Sequence, residues 1–178
     1  MAARRGDERA WIRGAQQGSV SDLEALFRHH WPRAYRAAYL VVHDSGAAED
    51  IAQEAFLAAV RGLDRFDRRR PFGPWLHRIV VNRAIDWSRA RALRRESAGA
   101  AIELVAAPAA PDNPHARTLA AALAGLSPEH RAVIVLRHLL EYTPGEIAEL
   151  LGLPRGTVNS RLRRGLDELG ARVEEELE

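Results

Sequence analysis

Apolar residues recur at intervals of three or four residues along most of this 178-residue chain, whereas the alternation of apolar and polar residues that marks strands is missing. Leu23, Leu26, Phe27 and Trp31 form one such series, and this spacing places their side chains on one face of a helix. Alanine, leucine, arginine and glutamate, which all favour helices, dominate the chain. The pattern predicts an all-α fold.

Capping signals and prolines predict where several helices begin and end. Ser21 and Glu24 have the spacing of a capping box, and Pro32 in the helix that follows predicts a kink or a break. Residues 143–146 form a second capping-box pattern, with proline at the first helical position. Gly152 supplies the turn that ends this short helix.

A segment rich in alanine and proline divides the chain. Residues 97–114 contain three prolines, a composition that is typical of a linker. The sequence therefore predicts two helical domains, residues 1–96 and residues 115–178, joined by a flexible linker.

Several classes of protein and site have no signature in the sequence. The chain contains no cysteine, which excludes disulfides, thiolate zinc sites and cysteine nucleophiles. Phosphate-binding glycine loops, metal-ligand spacings and nucleophile elbows are also missing, so we predict a protein that is not an enzyme and holds no cofactor or metal ion. No signal peptide and no apolar run long enough to cross a bilayer is visible, so we expect a cytoplasmic protein.

Basic charge is concentrated in two blocks. Residues 61–95 hold eleven arginines against three acidic residues, and residues 155–164 hold four arginines and no acidic residue. Two separate basic blocks indicate contact with a polyanion at two places. For either block alone, a solvated helix face explains the charge equally well.

The last two predicted helices have the pattern of a helix-turn-helix. In the final helix Arg155, Asn159 and Arg163 recur at four-residue intervals, on the side away from Val158 and Leu162. Arginine pairs with guanine and asparagine with adenine, while hydroxyl groups and further arginines hold phosphate. Spacing alone leaves open an ordinary helical hairpin with a charged face. The candidate DNA-contacting residues of this helix are Arg155, Thr157, Asn159, Ser160, Arg161, Arg163 and Arg164.

Residues 146–165 strongly resemble region 4 of the extracytoplasmic-function group (group IV) of sigma-70 family sigma factors. The most specific part of the resemblance is Gly156-Thr157-Val158-Asn159-Ser160-Arg161-Leu162. The family often has alanine where this chain has Gly165. The resemblance implies that the second domain reads the minus-35 promoter element as duplex DNA.

Residues 48–56 resemble the region 2 helix of the same group, which docks on the coiled coil of the polymerase's largest subunit. The resemblance implies that an acidic and amide face, with one apolar neighbour, contacts the polymerase. Without the resemblance, a solvated helix face is the favoured interpretation of the same residues. The candidate polymerase-binding residues are Glu49, Asp50, Gln53, Glu54 and Leu57.

Phe66-Asp67 and the residues that follow resemble the loop and helix with which region 2 captures an unstacked base and reads the minus-10 element. Base capture requires a pocket with aromatic or apolar walls and polar edges. Judged from the residues alone, Trp75 and Trp87 fit a helical core as well as they fit a contact with a base. The candidate minus-10 residues are Phe72, Trp75, Arg78, Asn82, Arg83, Asp86, Trp87 and Arg89.

The two resemblances occur in the family's order and cover residues 21–96 and 117–170. They imply an alternative sigma factor that binds the largest and second-largest subunits of core RNA polymerase and directs initiation at promoter DNA, with catalysis left to the polymerase. They also imply an anti-sigma factor as a partner and no direct insertion into a membrane. The alternative is a helix-turn-helix transcriptional regulator that acts without core polymerase.

Overall fold

The computed structural model describes residues 5–98 and 114–175. Within those ranges the chain forms eight α-helices and no strand, which confirms the all-α prediction. The helices are α1 (Arg5–Gln16), α2 (Val20–Val42), α3 (Ser45–Gly62), α4 (Phe72–Ala98), α5 (Pro114–Ala124), α6 (Pro128–Ile134), α7 (Pro144–Leu151) and α8 (Arg155–Glu175). Leu63–Arg65 is a 3-10 turn, and Val135–Leu139 continues α6 as a π-helical turn.

The predicted linker lies mostly outside the described residues. Helix α4 extends to Ala98 and α5 begins at Pro114, so only the ends of the 97–114 segment are described, and both are helical. The helices before this segment, α1–α4, are called the first unit below. The helices after it, α5–α8, are called the second unit.

Side chains cap the helices of both units. Thr143 and Glu146 form the predicted capping box of α7, each accepting a hydrogen bond from the other's backbone N–H. Helix α2 is capped by Ser19, whose side chain accepts from the backbone N–H of Asp22 at 3.3 Å. The capping box predicted at Ser21 is therefore wrong, because the helix begins before that residue.

Helix α2 runs without interruption through Pro32. The predicted break at this proline is therefore wrong. Leu26 lies before it and Ala34 and Val41 after it, and all three side chains are buried in the packing of α2 against α1, α3 and α4. Burial along the whole length of α2 offsets the backbone hydrogen bond that the proline cannot donate.

Helix α1 was not predicted from the sequence. It packs on α2, and Ile12 is one of the most completely buried side chains of the chain. Gly14 lies where α1 and α2 approach most closely, since a Cβ atom there would meet the side chain of Asp22. The first unit is thus a four-helix arrangement in which α2 contacts the other three helices.

The second unit packs α6 and its π-helical turn against α7 and α8. Val133, Leu136, Ile147 and Val158 are its most deeply buried side chains. Gly165 of α8 is buried too, and a Cβ atom there would lie 3.1 Å from both the Cβ of His130 and the Cδ1 of Ile134. Close approach of α8 to α6 therefore gives a physical reason for glycine at a position where the family often has alanine.

The two units pack against each other through one continuous apolar core. The guanidinium of Arg131, in α6, donates to the carbonyl of Val41, in α2, and also to the carbonyls of Ala124 and Leu126. His77, in α4, shares a hydrogen bond of 2.7 Å with the hydroxyl of Tyr142 across the same contact. The arrangement of the units is therefore held by buried polar groups as well as by apolar packing.

The stability of this arrangement should depend on pH through His77. Burial lowers the pKa of His77 from 6.5 to about 4. Between these values the unfolded chain binds a proton that the folded chain does not, so the free energy of unfolding falls as the pH falls below the unfolded pKa. From about pH 7.5 to about pH 5, this one group removes about 2 kcal/mol.

Urea denaturation at the two pH values measures the loss. The His77→Gln variant should lose about 2 kcal/mol less than the wild-type chain between about pH 7.5 and about pH 5. His138 is exposed, so the matched variant His138→Gln should keep the wild-type dependence. Equal dependence in His77→Gln and wild type would contradict a buried, neutral His77.

Candidate nucleic-acid interface

Helices α7 and α8 are joined by the tight turn that the sequence predicts. Gly152 ends α7 with φ 66° and ψ 36°, a left-handed conformation that favours glycine, and its N–H donates to the carbonyl of Ala148. The carbonyl of Pro154 accepts from the backbone N–H of Thr157 and of Val158 at the start of α8. Backbone hydrogen bonds of the turn therefore close the end of α7 and the start of α8.

Side chains of α8 divide into buried and exposed sets. Val158 and Leu162 are buried, whereas Arg155, Asn159 and Arg163 form an exposed stripe with a spacing of four residues. Such a stripe can enter the major groove and present guanidinium and amide groups to base edges and phosphates. This is the geometry that a DNA-reading helix requires.

The remaining candidates of α8 flank that stripe. Arg164 is exposed, and Thr157, Ser160 and Arg161 are half-buried. The hydroxyl of Ser160 donates to the carbonyl of Thr157 at 3.0 Å. The charge of Arg161 helps, after burial and Arg89, to set the lowered pKa of Glu129 in α6.

Helix α3 presents the predicted acidic face. Glu49, Asp50, Gln53 and Glu54 are exposed, and the opposite side of the helix, with Ile51 among it, is buried. Leu57, on the same side of α3, is 55% exposed. An acidic surface with an apolar neighbour is suited to a basic partner helix.

Three aromatic rings surround the start of α4. The ring centroid of Trp75 lies 4.6 Å from that of Phe66 and 5.6 Å from that of Phe72. Phe72 is only 3% exposed and supports the other two rings from within the core, whereas Phe66 and Trp75 are half-buried. Phe72 and Trp75 are both candidate minus-10 residues, but only Trp75 reaches the surface.

Trp75 and Phe66 form part of the wall of a cleft of about 830 Å³ between the two units. The first unit contributes arginines to this cleft, and the second unit contributes glutamates and Tyr142. The charged residues that line it are Arg65, Asp67, Arg70, Arg78, Glu146 and Glu149. An aromatic wall with polar edges is the kind of surface on which an unstacked base can lie.

Two of the candidate arginines farther along α4 have acidic partners within the chain. Arg83 donates to Glu54 of α3 at 2.6 Å, and Arg89 donates to Glu129 of α6 at 2.7 Å. Asn82 is half-buried and Asp86 is exposed. Arg83, a candidate for DNA contact, and Glu54, a candidate for polymerase contact, are thus direct neighbours.

Trp87 is half-buried, and the guanidinium of Arg91 lies 5.0 Å from the centroid of its ring. Arg91 also bonds Asp44, which caps the start of α3, at 2.9 Å. Arg91 was not among the sequence candidates. Its basic charge on α4 was visible, but its contact with α3 depends on long-range packing.

The described part of the chain contains no candidate metal site and no candidate membrane-spanning helix. Within residues 5–98 and 114–175, no three histidine or acidic side chains come together as a metal site would require. No helix in those ranges is long and apolar enough to cross a membrane.

Models of two protein families match the chain. Sigma-70 region 2 matches residues 26–94, and Sigma-70 region 4 matches residues 116–169. The first match covers α3 and most of α2 and α4, and the second covers α6, α7 and most of α5 and α8. Helix α1 precedes both matches.

Two bacterial sigma factors are similar to this protein over most of its length. The ECF RNA polymerase sigma factor SigW of Bacillus subtilis (strain 168) is 31% identical over 172 residues, covering 89% of this chain and 90% of the relative. The RNA polymerase sigma factor CarQ of Myxococcus xanthus is 34% identical over 159 residues, covering 86% of this chain and 90% of the relative.

Two solved structures have a similar fold. One is the sigma factor RpoE in complex with the anti-sigma factor NepR from Bartonella quintana, with a TM-score of 0.73 and 25% identity over 87% of this chain and 98% of that one. The other is CnrH in complex with the cytosolic domain of CnrY, with a TM-score of 0.70 and 28% identity over 95% of this chain and 98% of that one.

Proposed function

The chain belongs to the extracytoplasmic-function group of the sigma-70 family of RNA polymerase sigma factors, and we propose that it directs core polymerase to promoters through three surfaces. Residues 1–96 would bind polymerase and the minus-10 element, residues 115–178 would read the minus-35 element, and residues 97–114 would link them. The observation that carries this proposal is the pairing, in one chain, of an exposed acidic face on α3 with an exposed Arg-Asn-Arg stripe on α8.

The acidic face of α3 is the proposed contact with core polymerase. The exposed carboxylates attract a basic helix and orient it, and the exposed side chain of Leu57 adds apolar area at the centre of the contact. The residues assigned to this surface are Glu49, Asp50, Gln53, Glu54 and Leu57.

The exposed stripe of α8 is the proposed reader of the minus-35 element. Arg155, Asn159 and Arg163 lie where base edges would be within reach, and the flanking residues Thr157, Ser160, Arg161 and Arg164 are assigned to phosphates. Because Arg161 is half-buried and Arg163 is exposed, the contribution of Arg161 to DNA binding is expected to be smaller than that of Arg163.

The minus-10 surface is assigned to the start and outer side of α4. Trp75 forms the aromatic wall of the cleft, and Phe72 holds that wall from within the core. The charged and amide groups follow along the same helix. The remaining residues assigned to this surface are Arg78, Asn82, Arg83, Asp86, Trp87 and Arg89.

Catalysis in this proposal belongs to the polymerase, and the protein acts where the polymerase does, in the cytoplasm. The similar structures of RpoE and CnrH, one bound to an anti-sigma factor and the other to the cytosolic domain of CnrY, support an anti-sigma factor as a further partner. The regulator that works without polymerase is disfavoured, because it gives no role to the first unit, which the Sigma-70 region 2 model matches.

Charge reversal on α3 tests the polymerase contact. Asp50→Arg should weaken binding to purified core polymerase by about tenfold or more, because it places a like charge against a basic partner. The matched variant Glu174→Arg changes the net charge equally at an exposed position near the end of α8 and should bind as wild type does. Fluorescence anisotropy of labelled protein titrated with core enzyme gives both affinities. Equal affinities for the two variants would reject this surface.

The salt dependence of promoter binding tests the phosphate contacts assigned to α8. For holoenzyme on a duplex that carries the minus-35 element, Arg164→Ala should lower the slope of log K against log salt by about one, because one phosphate contact is lost. Arg164→Lys keeps the charge and should keep the slope. A loss of affinity in Arg164→Ala without a change of slope would assign Arg164 to a base instead of a phosphate. No change in either would remove it from the interface.

A further inference from the structure

Helix α1 lies outside the segment that matches Sigma-70 region 2, yet it contacts the arginine-rich segment between α3 and α4. That segment, residues 63–71, is here called the arginine loop. It leads from the 3-10 turn to the start of α4 and carries Phe66, one of the rings at the cleft. Most of this loop is exposed and basic, so contacts with other elements are needed to hold it in one conformation.

Gln16, the last residue of α1, is bonded to the beginning of the arginine loop. Its side-chain amide donates to the carbonyl of Leu63 at 2.9 Å and to the carbonyl of Phe66 at 3.0 Å. Both of its N–H groups are therefore used on the backbone of the loop. Since one bonded carbonyl belongs to Phe66, Gln16 also fixes the point from which the Phe66 ring reaches Trp75.

Glu8, at the other end of α1, is bonded where the arginine loop ends. Its carboxylate lies 3.0 Å from the Nε2 of His30 and also interacts with the backbone N–H of Phe72, the first residue of α4. These hydrogen bonds, led by the one from His30, lower the pKa of Glu8 despite its partial burial. A carboxylate is favourable here, because the N-terminal end of a helix carries a partial positive charge.

The two contacts bracket the arginine loop, and α1 is itself held firmly on the first unit. Ile12 is 1% exposed, and Gly14 permits the close approach of α1 to Asp22 of α2. Within the loop the hydrogen bonds are local: the backbone N–H of Phe66 donates to the carbonyl of Leu63 at 3.0 Å, and those of Arg69 and Arg70 donate to Asp67 at 2.9 Å each. The bonds of Gln16 add to these a restraint on Phe66 from a helix that is distant from it in sequence.

We infer that α1 is a positioning element for the minus-10 surface, with Gln16 and Glu8 holding the arginine loop so that Phe66 and Trp75 can receive an unstacked base. This inference rests on the proposed function of the first unit. Neither Gln16 nor Glu8 is assigned a contact with DNA. Their effect passes through the backbone of Leu63, Phe66 and Phe72.

The test uses the full-length protein bound to core polymerase and the single strand of the minus-10 element, with one abasic site moved along it. Wild-type holoenzyme should lose about tenfold in affinity when the base that enters the cleft is missing. Gln16→Ala holoenzyme should bind the intact strand about tenfold more weakly and lose little more at the abasic site, because the receiving surface is already displaced.

Gln17→Ala is the matched control, since Gln17 is the exposed neighbour of Gln16 and the same residue type. It should reproduce the wild-type profile. Affinity for core polymerase and binding of a minus-35 duplex should be the same for all three proteins. A purely structural defect in Gln16→Ala would lower these two affinities as well, or would weaken every oligonucleotide equally, and either result overturns the inference.

Glu8→Gln provides a second, independent variant. If Gln16→Ala does not fold, Glu8→Gln carries the test with the same oligonucleotides, because it loosens the opposite end of the arginine loop. A wild-type abasic profile from a folded Glu8→Gln or Gln16→Ala protein overturns the inference. Wild-type holoenzyme that recognises no minus-10 strand at all would instead count against the proposed function.

Discussion

The buried guanidinium of Arg131 holds together the two halves of this chain. It is 7% exposed, and it donates to the carbonyl of Val41 in the first unit and to those of Ala124 and Leu126 in the second. Burial lowers the pKa of Arg131 to about 10, so the group still carries its charge at neutral pH. A buried charge without acceptors is strongly destabilising, so these carbonyls must stay where they are for the fold to persist. The two units also share one apolar core.

Because the units pack in this way, charged groups proposed for DNA meet acidic groups of the same chain. Arg89 bonds Glu129 across the two units, and Arg83 bonds Glu54 at the polymerase-facing side of α3. Both arginines are partly exposed, and exposed ion pairs contribute only about 0–1 kcal/mol. DNA phosphates can therefore replace the glutamates as partners of these arginines, and a basic partner helix can replace Arg83 as the partner of Glu54, at a small cost in free energy. Until then the ion pairs hold the two guanidinium groups in place on α4.

Local chemistry made the second unit the more predictable one. The capping box at Thr143 and the turn at Gly152 depend on neighbouring residues, and periodicity alone separated the faces of α3 and α8. Prediction was wrong where packing decides between local alternatives, as at Ser19 and Ser21, or overrides a local signal, as at Pro32. The bonds of Gln16 carry no short-range signature, because their partners lie 47 and 50 residues away along the chain.

Run-off transcription from a library of genomic fragments, with purified core enzyme and this protein, tests whether this chain gives core polymerase its choice of promoter. We expect discrete transcripts that require the protein, each starting downstream of a shared pair of sequence elements. Transcription that is independent of the protein, or tight and specific duplex binding by the protein alone with no transcript when core enzyme is present, would contradict this expectation.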